Sequence, residues 1–158
     1  MRRRRPVEEV EFTPPDVGAV VEWMAVLSSA GEGWVNLLPG VPEEAVEEPP
    51  HTVFTALFGS ARPPVTMCTW MPARRGQPPR VGVSHPGDGR ALPRLAAAGA
   101  PLPDGWRLRQ DHVRRGLVAD TPPDAEPAEV LDWLLQAGAL LAKVPLTGTW
   151  QARVHLPA

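Results

Sequence analysis

Val65-Thr66-Met67-Cys68-Thr69-Trp70-Met71 and Arg80-Val81-Gly82-Val83-Ser84, joined by a proline-rich arginine loop at 72–79, decide how this chain is read. The first run is rich in β-formers and apolar on both faces, as a central strand is; in the second the two valines share one face. Upstream, His51 to Gly59 (HTVFTALFG) is a similar run, and Ser60-Ala61-Arg62-Pro63-Pro64 would join it to Val65–Met71 as a hairpin. Trp34 to Leu38 reads as a short strand. Pro39 to Pro50, with four glutamates and four prolines, reads as an exposed loop. Downstream, Gly105 to Thr121 forms a second β-unit, with Trp106 and Leu108 facing one way and Arg107 and Arg109 the other. Its turn falls at Asp111–Arg115 and its return strand at Gly116–Ala119. A last strand alternates cleanly: Trp150, Ala152, Val154 and Leu156 inward, Gln151, Arg153 and His155 outward.

Three helices frame these strands. Thr13-Pro14-Pro15-Asp16 carries helix-start signals, and Val17, Val20, Val21, Met24 and Leu27 follow at helical spacing up to Gly31. A short helix covers Leu92–Ala98. The final helix is the best marked: Asp124 as cap, Pro127 in the first turn, and Val130, Trp133, Leu134, Ala137 and Leu141 as its buried stripe. The expected architecture is α+β, with an antiparallel or mixed sheet of five to six strands and two or three helices packed on one face. Residues 1–12, four arginines against three glutamates, read as a flexible charged tail, and 13–158 as a single α+β domain. In element order alone the chain resembles the secretion-chaperone-like α+β fold, which implies a protein-binding scaffold.

Composition narrows the class. The 158 residues include fifteen arginines but one lysine, and no isoleucine or tyrosine. That bias is typical of a GC-rich bacterial genome, so arginine richness by itself is poor evidence for phosphate binding. Arg2–Arg5 could open a signal peptide, but Pro6, Glu8, Glu9 and Glu11 stand where its apolar core belongs. No apolar run reaches membrane-spanning length. The single cysteine, Cys68, has no partner for a disulfide and sits mid-strand as a buried, inert thiol. The cytoplasm is the expected compartment.

Catalytic signals are weak. Ser84-His85-Pro86-Gly87-Asp88-Gly89-Arg90 lies between a strand and a helix, where a glycine turn aims N–H groups at an anion. His85 would be the acid or base there and Arg90 a clamp, with Gly87, Asp88 and Gly89 forming the turn. The spacing matches no phosphate or dinucleotide fingerprint. The structural alternative, a turn with Asp88 capping the helix, is preferred. Asp111-His112 with Arg114 and Arg115 offers an imidazole beside a carboxylate, but reads more simply as a charged hairpin tip. No histidine pair has metal-ligand spacing, no G-x-S-x-G motif is present, and neither catalytic residues, metal nor cofactor is expected.

Charge is more informative. Residues 6–61 carry ten acids and no base, whereas 62–115 carry ten arginines against three aspartates. Arg74, Arg75, Arg80, Arg107, Arg109, Asp111, His112, Arg114 and Arg115 are therefore the candidate partner contacts. The leading expectation is a non-catalytic protein-binding or adaptor module whose partner is another protein or a second copy, with no membrane role. One alternative is an enzyme or ligand-binding protein taking an anionic metabolite at loop 84–90. The second is nucleic-acid binding through the arginine-rich middle, less favoured because the six tryptophans fall one to an element on apolar faces.

Overall fold

The computed structural model describes residues 4–43, 65–87 and 89–158. Among them, seven strands form one wholly antiparallel sheet: β1 (Val7–Phe12), β2 (Trp34–Pro39), β3 (Met67–Met71), β4 (Arg80–Ser84), β5 (Arg107–His112), β6 (Gly116–Asp120) and β7 (Trp150–His155). Their spatial order is β1-β7-β2-β3-β4-β6-β5. Three helices accompany them: α1 (Gly18–Ala30), α2 (Ala91–Ala97) and α3 (Pro127–Leu141). The α+β class with an antiparallel sheet holds; the strand count is seven, not five to six.

The additional strand lies within the expected tail. Val7–Phe12 pairs along its whole length with β7, from Val7 opposite His155 to Phe12 opposite Trp150. Its acidic composition suggested a solvated tail. An edge strand, however, keeps one face in water, so Glu9 and Glu11 stay exposed there; on the other face Phe12 is buried and Glu8, near the strand's start, is exposed. β3 is flanked by β2 and β4. The strand expected at 51–59 and its turn at 60–64 lie outside the described residues.

Period-two alternation gives the sheet one dry face. Val35 and Leu37 of β2, Cys68 and Trp70 of β3, Val81 and Val83 of β4, Leu117 and Ala119 of β6, and Trp150, Ala152 and Val154 of β7 are all buried. Onto this face packs α3, lying over β2, β3 and β4, with α1 and α2 against its flanks. The stripe read from the sequence is buried throughout: Val130, Trp133, Leu134, Ala137 and Leu141. At Gly138 α3 lies close on the sheet: a Cβ there would lie 2.8 Å from Trp150 Cη2 and 2.9 Å from Cys68 Sγ. Two bonds seal the contact, Thr66 Oγ1 donating to Gly138 O at 2.7 Å and Cys68 Sγ to Leu134 O at 3.3 Å.

Helix starts differ from expectation. α1 begins at Gly18, and Thr13–Asp16 instead forms a turn closed by Asp16 N–H donating to Thr13 O at 3.0 Å. α3 has Glu126, not Asp124, at its N-cap position, with no side-chain cap. The end of α1 follows the sequence: Gly31 is left-handed (φ 64°) and donates its N–H to Leu27 O.

Candidate functional site

Loop 84–90 leads from β4 into α2. His85 is buried, at 5% exposure, and Gly87 lies against its ring and the Arg94 guanidinium, where a Cβ would come within 2.8 Å of His85 Nδ1. Gly89 is half-buried and Arg90 is exposed; Asp88 lies outside the described residues. The helix start that was to meet an external anion meets the protein's own. Asp111 accepts the backbone N–H groups of Ala91 at 2.8 Å and Leu92 at 3.0 Å.

The hairpin residues have comparable internal roles. β5 runs through His112, so Asp111 is a strand residue turned toward α2 and not part of an exposed tip. His112 Nδ1 accepts the N–H groups of Arg114 at 3.0 Å and Arg115 at 3.1 Å, which leaves its proton on Nε2 and closes the turn. Arg75, Arg107, Arg114 and Arg115 are exposed, and register sets Arg107 opposite Asp120, itself opposite Arg80. Arg80 and Arg109 converge on Asp120, which is buried at 4% exposure at the end of β6. Arg80 Nε donates to one carboxylate oxygen at 2.9 Å, and Arg109 Nε, from the bulged position between Leu108 and Gln110, donates to the other. Burial alone would raise the Asp120 pKa; the hydrogen bonds and charges of Arg80 and Arg109 outweigh it and hold the carboxyl below its ordinary value.

The feature that does gather side chains is the sheet face opposite the helices. No described helix covers it. One row of register partners crosses it from β1 to β5: Glu9, Arg153, Asn36, Thr69, Gly82, Val118 and Gln110. Beside this row Trp34 stacks on His155, ring centroids 4.3 Å apart, and Arg5 sits 5.8 Å from the Trp34 ring. His155 Nε2 lies 3.3 Å from Asn36 Nδ2, and Asn36 Oδ1 accepts from Thr69 Oγ1 at 2.9 Å. Burial, then the nearby charge of Arg153, holds the His155 pKa below its ordinary value.

A recess of about 560 Å³ opens beside this chain of polar contacts, lined by Trp34, Asn36, Thr69, Met71, Arg74 and Gln77. Arg74 is pinned by Nη2 donating to Gly33 O at 3.1 Å, and its buried Nε–H has no acceptor among the described residues. Thr69 and Met71 also line a smaller recess of about 190 Å³ with Arg80, Gly82 and Val118. Another recess, about 480 Å³ near Gly40, Thr147 and Trp150, has no basic side chain in its lining.

Of the partner contacts read from the sequence, the structure places Arg74 and Arg80 on this face and gives Asp111 and His112 internal partners. Trp34, Asn36, Thr69, Gly82 and His155 escaped the sequence reading because strand register alone brings them together. The lone asparagine of the chain, at mid-strand, was the one local signal. Among the described residues no group of three metal-ligating side chains occurs, and no helix is long and apolar enough to cross a membrane. No protein-family model matches this chain, and neither a curated protein nor a solved structure matches it.

Proposed function

We propose that this chain is a non-catalytic protein-binding module that works through the open face of its sheet. The observation that carries the reading is the sheet face that no helix among the described residues covers, where an indole, a thioether and an arginine surround a recess. A non-catalytic role is supported by the placement of the reactive side chains. Cys68 is fully buried, and burial pushes its thiol pKa up to about 12. His112 is committed to a turn and His155 is stacked on Trp34. Asp111, the carboxylate that might have oriented His112, instead caps α2.

The test is capture of a partner by the full chain from bacterial cytosol, with the bound protein identified and its stoichiometry measured. Met71→Glu places a charge on the open face; Leu140→Glu places one on the helical side, where Leu140 is already 45% exposed. The expected result is loss of capture with Met71→Glu alone, at an unchanged melting temperature. Loss with Leu140→Glu and retention with Met71→Glu would move the binding surface to the helices and end this reading.

A further inference from the structure

Gly82 is the notch in the open face. It sits in the middle of β4, opposite Thr69 on one side and Val118 on the other, and both neighbours carry side chains on this face. Glycine weakens a strand interior and is retained there for a bulge, a bend or a close approach by something else. β4 has no bulge: its pairing with β3 and with β6 is continuous. Nor does the fold need a bare Cα, because a Cβ at Gly82 would meet only Leu117 O, at an ordinary 3.7 Å. Nothing within the described residues therefore requires glycine at position 82. Its effect is to leave room, and that room is the smaller recess.

The two recesses are neighbours of unlike chemistry, because Thr69 and Met71 line both. Around Gly82 the walls are Met71, Val118 and the stem of Arg80, whose guanidinium is drawn to Asp120. Beside Trp34 the distinctive group is Arg74, and neither recess has a carboxylate in its lining. A guanidinium that lines a recess without a carboxylate, next to an apolar notch, is complementary to a carboxylate held a short distance from an aliphatic group. The polar floor between them is already oriented: Thr69 donates to Asn36, and its hydroxyl lone pairs remain able to accept an N–H.

We propose that this trough seats an extended acidic segment of the partner protein, with an aliphatic side chain in the notch over Gly82 and a carboxylate two residues away on Arg74. Alternate residues of an extended chain point the same way about 7 Å apart, and the two recesses they would enter adjoin each other, sharing Thr69 and Met71. This inference rests on the open face being the binding surface and adds the chemistry of its occupant.

The probe is the capped peptide Ala-Leu-Ala-Glu-Ala, titrated into the isotopically labelled full chain and followed by amide and indole chemical shifts. Saturable shifts are expected at Thr69, Gly82, Val118 and the Trp34 indole, with a dissociation constant of order millimolar. Replacing Glu by Gln in the peptide should weaken binding by about threefold, the worth of an exposed ion pair. Replacing Leu by Ala should weaken it by about tenfold, as expected for lost apolar burial. Gly82→Val fills the notch and should abolish the advantage of Leu, with Gly82→Ala as the milder variant; Arg74→Gln should abolish the advantage of Glu. No saturable shift, equal binding of the Glu and Gln peptides to the unmodified chain, or shifts confined to the helical side would overturn the proposal. If the peptide fails while Met71→Glu still abolishes partner capture, the open face stands and only this chemistry falls. Capture that survives Met71→Glu removes the face itself.

Discussion

The carboxylate of Asp111 caps a helix that begins twenty residues earlier, accepting the Ala91 N–H at 2.8 Å and the Leu92 N–H at 3.0 Å. α2 has no cap of its own, because the residue at its N-cap position, Arg90, offers no acceptor. Asp111→Ala should therefore cost about 1–2 kcal/mol, the usual worth of a lost N-cap acceptor, and Asp111→Asn less than half of that. Urea denaturation of the two variants decides it. Equal losses would show that one amide oxygen cannot stand in for the two carboxylate oxygens, each of which accepts one N–H.

Where burial follows a local period, the sequence was readable. The stripe of α3 and the alternation of β7 both lie in the structure as read. β1 was misread because its order comes from β7, and Glu9 meets Gln151 across 142 residues. The candidate site was largely illegible for the same reason. That Asp120 would be clamped depends on Arg80, forty residues earlier, and on a bulge that turns Arg109 toward it. The notch at Gly82 exists only because register sets Thr69 and Val118 on either side of it. Asp111 and His112 were read as an exposed tip because helix caps and turn acceptors look like ordinary surface charges until the donors are placed.

Asp120 makes the acid limit of stability predictable in sign. Its folded pKa is depressed, so on acidification the unfolded chain takes up the proton first. The stabilisation is present above the ordinary carboxyl pKa of 3.8 and is lost as pH falls through the lower folded value. Both guanidiniums keep a third or more of their side-chain surface in water, so Asp120→Asn should cost only about 1–2 kcal/mol at neutral pH. The gap between variant and parent should narrow steadily below about pH 4. A gap that is independent of pH in urea denaturation would rule out the ion pairs as its source.

Gly138 tests the tight contact between α3 and the sheet. In an exposed helix, Gly→Ala gains about 1 kcal/mol of helix propensity. Here the added Cβ would meet Trp150 and Cys68 below 3.0 Å, so overpacking of about 1–3 kcal/mol should prevail and lower the melting temperature. Shrinking one obstacle should recover part of the loss, so Gly138→Ala combined with Cys68→Ala should be less destabilised than the two changes added together. Additivity would show that the contact has slack and that α3 can shift away from β3.

His155 links the open face to pH. Its ring faces Trp34 and the Asn36 amide, with Arg153 beside it and Arg5 over the Trp34 ring; Glu9 is engaged by Arg153 at 3.5 Å and Glu32 by Arg5 at 3.8 Å. Neutral His155 accepts from Asn36 at Nε2, whereas protonation would place a donor against a donor and a cation near two others. Because its folded pKa lies below 6.5, the unfolded chain binds this proton first, and stability declines as pH falls from about 7. The decline ends once the folded group itself titrates. His155→Gln, which keeps a polar side chain without a titration in this range, should flatten the stability profile between about pH 7 and pH 5 relative to the parent. The same protonation disturbs the Asn36–Thr69 bond that orients the trough, so partner capture should weaken over that interval in the parent and not in the variant. A parallel decline of capture in both proteins would separate the histidine from the binding face.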